Sequence, residues 1–235
     1  MNTRFSSAIT LENSRGFIAV IPDIKCRSPK EGDLLQGRNP VDIAKHLVLY
    51  GAPVLSVVTE QENFGGSKEL LHTIAQTVNV PILRKDFIKH EDQLLETMEL
   101  GASAVLLICA TTDEKDLEIL YKKAIQLGIE PLVEVHTEQE MEFANQLGAR
   151  LIGINNRDIT TLERDDGGPK ITTSLVSGAP AGSLIISESG ILSPDDVALA
   201  QSAGANAVLI GTALWQAPDM DEAYKSFRIE RRNTL

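Results

Sequence analysis

The sequence predicts a single α/β domain folded as a (βα)8 TIM barrel, and three observations point to it. Eight short apolar runs alternate with amphipathic segments along the 235 residues. Runs rich in Val, Ile and Leu on both faces are typical of strands buried in a parallel sheet. Gly-Ala pairs close four of the amphipathic segments. Five runs end on or run straight into a charged residue or an asparagine, at the strand ends where parallel barrels carry their chemistry.

The strands are predicted from the apolar runs and the residues that bound them. They are expected at Phe17–Ile24, Pro53–Val58, Pro81–Arg84, Ala104–Ile108, Pro131–Val135, Leu151–Ile154, Leu184–Ser187 and Ala207–Ile210. Alternation of strand and helix implies parallel pairing through right-handed crossovers. An open doubly wound sheet is the runner-up. It usually has fewer strands and a Gly-rich turn after the first strand, whereas residues 25–29 read Lys-Cys-Arg-Ser-Pro.

Helices are predicted where apolar residues follow a 3.6-residue period. Four of them lead into a Gly-Ala pair, at Val41–Tyr50, Glu91–Leu100, Glu138–Leu147 and Pro194–Ala203. Glycine suits the position after a helix end because it adopts a positive φ without a Cβ penalty. Further helices are expected at Ser67–Thr77, Asp113–Leu127 and Asp219–Arg228. The polar segment Thr160–Lys170 is expected to be a mobile loop.

Composition narrows the function classes. With 43% hydrophobic residues, the chain can bury a full core, so residues 1–235 are expected to form one domain. The net charge of −11 argues against nucleic-acid or anionic-membrane partners but not against a small anionic substrate. Two cysteines without metal-like spacing indicate neither a disulfide framework nor a metal site. No membrane-length run or signal-peptide core is present, so a cytoplasmic protein is expected.

Charged and amide side chains follow five of the predicted strands, and we expect them to meet in one pocket. They are Lys25, Lys85, Glu134, Asn155 and Glu188. A lysine there can act as a general acid if desolvation and neighbouring cations bring its pKa toward neutrality. Glu134 can serve as acid or base, and Arg157 offers a fork that fits a carboxylate. His136, two residues after Glu134, is interpreted as a structural or surface residue because no partner pattern accompanies it.

Two glycine-bearing turns and a set of apolar residues complete this pocket. Residues 187–191 follow the seventh strand and residues 210–213 follow the eighth, the two positions where barrels commonly hold phosphate. Both turns are therefore interpreted as phosphate-binding. Phe64, Phe87 and Leu106 are candidates for an apolar wall against a ring, since two of the scarce aromatic residues fall just after strands.

Blocks along the whole barrel resemble indole-glycerol-phosphate synthase. They run in order from about Ile18 to Leu214, and the most specific are Leu83-Arg84-Lys85-Asp86-Phe87 and Gly153-Ile154-Asn155-Asn156-Arg157-Asp158. Others are Leu132-Val133-Glu134-Val135-His136 and Ser187-Glu188-Ser189-Gly190-Ile191. The resemblance implies ring closure of a carboxyphenylamino-deoxyribulose phosphate with loss of carbon dioxide and water. It implies no metal and no organic cofactor.

The resemblance also implies roles for individual residues. Lys85 would be the acid of ring closure, Glu134 would assist dehydration, and Lys25 would serve the phosphate and the later acid step. Asn155, Glu188 and Asp23 would order the sugar and the lysines. The carboxylate and ring would be bound by Ser28, Pro29, Phe64, Phe87, Leu106, Arg157, Ile159 and Leu162. The phosphate would be held by Lys25, Ser189, Gly190, Gly211 and Thr212.

Three features depart from the family pattern. Asp23 stands where the family usually has a glutamate, so its carboxylate is one methylene shorter. About sixteen residues precede the first strand where the family commonly has some forty, so a covering N-terminal helix is expected to be shortened or absent. Residues 163–169 are rich in glycine and acid. Asp23 and the short N-terminal segment together predict weak activity on the standard substrate, or a preference for a differently substituted analogue. Asp23→Glu is then expected to improve turnover of the standard substrate.

Other functions stay open at this point. The chain can be a paralogue acting on a related aryl-amino sugar phosphate, or a barrel similar to phosphoribosyl-anthranilate isomerase. The isomerase uses a Cys/Asp pair, and Cys26 is off the strand end. A non-catalytic subunit that binds a phosphorylated metabolite is a third alternative, disfavoured because burying several charges together is costly. Partnership with other tryptophan-pathway enzymes also stays open.

Overall fold

Eight parallel strands close into a barrel in the computed structural model, which describes residues 4–157 and 168–231. The strands are β1 (Ala19–Ile24), β2 (Arg27–Ser28), β3 (Gly32–Asp33), β4 (Leu55–Val58), β5 (Ile82–Lys85), β6 (Ala104–Ile108), β7 (Glu130–Val135), β8 (Leu151–Asn155), β9 (Leu184–Glu188) and β10 (Ala207–Ile210). β2 and β3 form a separate antiparallel ribbon, and the other eight strands make the barrel. β1 pairs with both β4 and β10, which closes the ring. The predicted barrel is confirmed.

One helix precedes β1, and the others follow the barrel strands around the outside. They are α1 (Phe5–Ser14), α2 (Pro40–Leu49), α3 (Lys68–Thr77), α4 (Glu91–Glu99), α5 (Glu114–Leu127), α6 (Glu138–Gln146), α7 (Lys170–Leu175), α8 (Pro194–Ala203), α9 (Thr212–Trp215) and α10 (Met220–Phe227). Polar side chains such as Asn39, Ser67 and Thr137 accept hydrogen bonds from the first turns. The four Gly-Ala glycines have φ between 67° and 122°, as the helix-end interpretation requires. Among the described residues, no helix is both long and apolar enough to cross a membrane.

The core has an inner and an outer layer. Every residue of β4, β6 and β10 is buried, because one strand face packs inside the barrel and the other packs against helices. Inside the barrel, Ile21, Leu83 and Leu132 belong to one apolar cluster. Outside it, β6 and β7 pack against α5.

Helix α1 closes the amino end of the barrel. Phe5 and Ile9 are fully buried in the cluster that fills the barrel interior. The Ser6 backbone N–H and hydroxyl donate to Glu130, the first residue of β7. At its other end α1 is tied to the C-terminal region by an ion pair of 2.6 Å between Glu12 and Arg228. Phe5–Ser14 therefore form a helix on the side opposite the carboxyl ends of the strands.

Several elements differ from the sequence-based expectation. The predicted helices and strands are all present, with ends shifted by one or two residues. α1, α7, α9 and the β2–β3 ribbon were not predicted. A covering helix before β1 was expected to be shortened or absent, and the helix α1 found there fills the opposite end of the barrel, because Phe5 and Ile9 face the barrel interior. The mobile loop predicted at Thr160–Lys170 lies mostly outside the described residues, although Lys170 begins α7. A single domain over residues 1–235 stays a prediction.

Candidate active site

A cavity opens at the carboxyl ends of the barrel strands. Most of the predicted site residues line it: Asp23, Lys25, Phe64, Lys85, Phe87, Leu106, Glu134, Asn155, Arg157, Ser189, Gly190, Gly211 and Thr212. Glu188 lies behind this wall, fully buried, and reaches Lys85. Ser28 and Pro29 are not on the wall; the Ser28 hydroxyl accepts from the backbone N–H of Lys30 within its own turn. Ile159 and Leu162 lie outside the described residues.

Lys85 sits between two buried carboxylates. Its Nζ lies 2.9 Å from Glu188 Oε2 and 3.3 Å from Glu134 Oε2. Burial by itself lowers the pKa of Lys85, but the charges of Glu188 and Glu134 outweigh burial and raise that pKa far above its usual value. The expected fall of a lysine pKa toward neutrality is therefore wrong for Lys85, because its neighbours are carboxylates rather than cations. Lys85 is a firmly protonated ammonium.

The side chain of Glu188 occupies space that is free because the neighbouring strand has a glycine there. Burial raises the pKa of the Glu188 carboxyl, and the nearby Lys85 charge partly offsets that rise. A Cβ on Gly153 of β8 would overlap Glu188 Oε1 and lie 3.0 Å from Glu188 Cδ. Within the described part of the chain, Glu188 Oε1 has no hydrogen-bond donor. The absence of a side chain at position 153 therefore makes the room in which Glu188 meets Lys85.

Asp23 and Lys25 lie at the end of β1 and are both buried. The Ser56 hydroxyl donates to Asp23 Oδ1 at 2.6 Å, and Trp215 Nε1 donates to the Asp23 carbonyl oxygen at 2.9 Å. Lys25 Nζ lies 5.8 Å from the centre of the Phe64 ring. The shorter carboxylate of Asp23 is thus held by Ser56, a partner that sequence reasoning did not identify.

The apolar part of the wall is larger than predicted. Phe64 and Phe87 lie on loops after β4 and β5, and carboxylates fix both loops. Glu60 accepts from the Phe64 backbone N–H at 3.0 Å, and Asp86 accepts from the Phe87 N–H at 2.8 Å. Besides Leu106, the wall also contains Val58, Ile108, Ile191, Leu192, Leu209 and Ala213. This surface can cover the faces of an aromatic ring.

The two glycine-bearing turns lie side by side at the ends of β9 and β10. Ser189 and Gly190 have φ of 62° and 68°, so two successive residues are left-handed. Gly211 precedes the short helix α9, and a Cβ on Gly211 would lie 3.1 Å from Lys25 Cε. Successive backbone N–H groups in turn conformations form concave sites for anions. This end of the cavity can hold a phosphate, with Lys25 close to it.

His136 is the main residue whose surroundings were misjudged. Its side chain is only 9% exposed, with Nε2 3.6 Å from Glu134 Oε1 and Nδ1 3.3 Å from Glu140 Oε2. Burial lowers the pKa of His136, but the two carboxylates reverse the effect and raise it. The signal available in the sequence was Glu140, four residues on at the start of α6. Of the two interpretations of His136, a structural residue agrees with these contacts and a surface position is wrong.

The described residues contain no group of three or more His, Cys, Asp or Glu side chains placed to hold a metal ion. The cavity contains a protonated lysine, two buried carboxylates and an apolar wall, and Lys25 lies beside a turn that can hold an anion. Such a set can move protons at the middle of a substrate that carries an aromatic ring at one end and a phosphate at the other.

Comparison with known proteins points to one family. Residues 2–227 match the family described as indole-3-glycerol phosphate synthase. A protein of that name from Thermococcus kodakarensis is 43% identical over 87% of this chain and 89% of its own length. One from Pyrococcus furiosus is also 43% identical, over 88% and 90%. One from Carboxydothermus hydrogenoformans is 42% identical over 92% of this chain and 81% of its own length.

Proposed function

The chain belongs to the indole-3-glycerol phosphate synthase family, and we propose that it closes the pyrrole ring of 1-(2-carboxyphenylamino)-1-deoxyribulose 5-phosphate. The reaction gives indole-3-glycerol phosphate, carbon dioxide and water, and so serves tryptophan biosynthesis. The observation that carries the proposal is the ammonium of Lys85 held between Glu134 and Glu188 in the cavity of this family's barrel. The substrate is a small anionic sugar phosphate, in line with the anion-binding turns.

In the first step, the ring carbon that bears the carboxylate attacks the ketone carbon of the open-chain sugar. A carbon–carbon bond forms, and the carbonyl electron pair moves onto oxygen, which takes a proton from Lys85 Nζ. Loss of carbon dioxide returns its bonding electrons to the ring. A cationic acid at the ketone oxygen stabilises the charge that develops there, and a positioned acid contributes about 100- to 10000-fold to rate.

In the second step, the hydroxyl formed from the ketone leaves as water and the pyrrole double bond is made. The leaving oxygen needs a proton, and a proton must leave the nascent ring. Lys25, which is buried beside the anion-binding turn, is assigned the donor role. Glu134 is assigned the proton transfer on the ring side. Asn155 and Asp23 line the same cavity and are assigned to order the sugar hydroxyls.

Binding at both ends fixes the flexible sugar between them. Backbone N–H groups of Ser189, Gly190, Gly211 and Thr212 are assigned to the phosphate. Arg157 is assigned to the carboxylate, and Phe64, Phe87 and Leu106 to the ring. Ser28, Pro29, Ile159 and Leu162 stay predictions. Holding reacting groups near attack geometry can be worth several kcal/mol, about 7–11 kcal/mol in the most favourable cases.

The test is steady-state turnover of this substrate, followed by the fluorescence of the indole product. Lys85→Met is expected to reduce kcat by about 100- to 10000-fold while the circular dichroism spectrum stays unchanged. Lys89→Met, at an exposed lysine four residues later on the loop after β5, is the control variant and keeps activity. Retention of more than about a tenth of the activity in Lys85→Met contradicts the assignment.

The wild-type enzyme also separates this function from the alternatives. Turnover only of a differently substituted aryl-amino sugar phosphate indicates a paralogue, and isomerase activity overturns the proposal. Cys26 speaks against an isomerase-like Cys/Asp pair, because it does not line the cavity, and its thiol pKa is raised by burial and by Asp33.

A further inference from the structure

Asn156 is a buried amide beside the cavity, and its own side chain is not part of the cavity wall. Its Nδ2 donates to the Glu188 carbonyl oxygen at 2.9 Å, to the Ser189 carbonyl oxygen at 3.2 Å and to Ser187 Oγ at 3.0 Å. Its Oδ1 accepts from the Thr172 backbone N–H at 2.9 Å. The Asn156 backbone N–H also donates to the Glu188 carbonyl oxygen, at 2.9 Å.

These partners fix the orientation of the amide. The carbonyl oxygens of Glu188 and Ser189 only accept hydrogen bonds, and the Thr172 backbone N–H only donates. A flipped amide would place Oδ1 against two carbonyl oxygens and Nδ2 against an N–H group. Asn156 is therefore held in one orientation by partners on both β9 and α7.

The segment to which Asn156 donates these hydrogen bonds is the turn that contains the two left-handed residues Ser189 and Gly190. Ser189, which is not a glycine, has a φ of 62°, a conformation that costs about 1–2 kcal/mol for a residue with a Cβ. The amide bonds the carbonyl oxygens immediately before Ser189 and of Ser189 itself. Those two bonds stabilise the strained conformation of a turn whose residues Ser189 and Gly190 line the cavity.

We propose that Asn156 is a positioning residue that fixes the anion-binding turn, so that phosphate affinity depends on an amide that does not touch the phosphate. This inference rests on the proposed function, which places the substrate phosphate at Ser189 and Gly190. It goes beyond that function because Asn156 connects two binding regions. Its neighbour Arg157 is assigned to the substrate carboxylate, and its amide holds the turn assigned to the substrate phosphate.

The test compares Asn156→Asp and Asn156→Ser with Thr172→Val. In Asn156→Asp, a carboxylate oxygen replaces Nδ2 and faces the two carbonyl oxygens without a hydrogen to donate. Asn156→Ser removes the amide without adding a charge. Thr172→Val removes the 2.7 Å hydrogen bond between Thr172 Oγ1 and Ser187 Oγ in the same cluster, but leaves both turn carbonyls bonded. Thr172→Val is therefore the control for losing a buried polar contact near the turn without losing a hydrogen bond to it.

The readouts are the dissociation constants of inorganic phosphate and of anthranilate, which has the aromatic carboxylate but no phosphate. We expect both Asn156 variants to weaken phosphate binding at least tenfold and anthranilate binding less than twofold, with Thr172→Val within twofold of wild type for both. In wild type, phosphate is expected to shift the backbone amide resonances of Ser189 and Gly190. The KM for the full substrate is expected to rise more than kcat falls.

Several outcomes overturn the inference. They are equal weakening of phosphate and anthranilate, an equal effect of Thr172→Val, phosphate affinity unchanged in both Asn156 variants, and phosphate shifts away from Ser189 and Gly190. Failure of the proposed function looks different. If wild type binds phosphate at this turn and the Asn156 variants lose it, the inference stands even when ring closure is not detected.

Discussion

Gly153→Ala is a one-carbon change that tests whether Glu188 must sit at Lys85. Gly153 lies in β8, and its backbone does not need a positive φ, so alanine is not excluded by conformation. The new Cβ would overlap Glu188 Oε1, lie 3.0 Å from Glu188 Cδ and lie 3.5 Å from Leu132 Cδ1. Since Leu132 is at ordinary contact distance, Glu188 is the group that must move.

The size of the effect follows from that displacement. Relief of the overlap needs a shift of Glu188 on the order of 1 Å, and misplacement of a catalytic group by about 1 Å can reduce the rate roughly 100-fold. The 2.9 Å contact between Lys85 Nζ and Glu188 Oε2 is then lengthened or lost. Inserting a methyl group into a packed interior costs about 1–3 kcal/mol of folding stability, which for a chain of this length is roughly 2–12 °C in Tm.

The assay is kcat/KM by indole fluorescence at 25 °C, well below Tm, with Tm measured by calorimetry. Gly178→Ala is the control because Gly178 also lacks a positive φ, and a Cβ there would lie 3.4 Å from Met141 Cγ, an ordinary contact. We expect a fall of about 100-fold for Gly153→Ala and none for Gly178→Ala. Activity of Gly153→Ala within about threefold of wild type would refute the role of Glu188 at Lys85.

Three further predictions concern other parts of the molecule. The pKa of His136 is raised in the folded state, so its contribution to folding stability is complete below the ordinary histidine pKa and is lost as pH rises through the raised pKa. The difference in unfolding free energy between wild type and His136→Gln, measured in urea, should therefore shrink from pH 6 to pH 8.5, and a constant difference contradicts this. Asp23→Glu should lower kcat/KM about tenfold because the longer side chain cannot keep the 2.6 Å hydrogen bond to Ser56. A gain in kcat/KM would instead support the sequence-based expectation that the Asp23 side chain is too short. Phe5→Ala should cost about 3–5 kcal/mol of unfolding free energy but leave kcat/KM at 25 °C unchanged, and lost activity without lost stability would mean that α1 reaches the site.

The barrel could be predicted from sequence because the same pattern of apolar strand and amphipathic helix recurs along the chain. Each strand is a short apolar run, and each helix before a Gly-Ala pair ends where glycine adopts a positive φ. Elements without that repetition were missed. α9 has only four residues, α7 has six and the β2–β3 ribbon pairs two residues with two, so none is long enough to show a period. α1 was missed because its burial depends on the barrel interior that it fills.

The site could be predicted as a set of residues but not as a set of charges. Position at the ends of parallel strands was enough to bring Lys25, Lys85, Glu134 and Asn155 to one cavity. The pKa direction of Lys85 depends on which neighbours face it, and that is set by side-chain geometry across β5, β7 and β9. The burial of His136 and the contact of Asp23 with Ser56 likewise join residues that are close only in the fold.

The raised pKa of Lys85 is compatible with its proposed role as the acid of ring closure. An ammonium has three hydrogens, and the described residues supply acceptors for two of them, on Glu134 and Glu188. The third can reach a ketone oxygen while both carboxylates keep the nitrogen in place. A lysine with a raised pKa is a weak acid toward a ketone, but the alkoxide formed by ring attack is comparable to hydroxide and is a far stronger base than the lysine amine. Proton transfer therefore becomes favourable only as the new carbon–carbon bond forms, which couples the acid to the transition state rather than to the bound substrate.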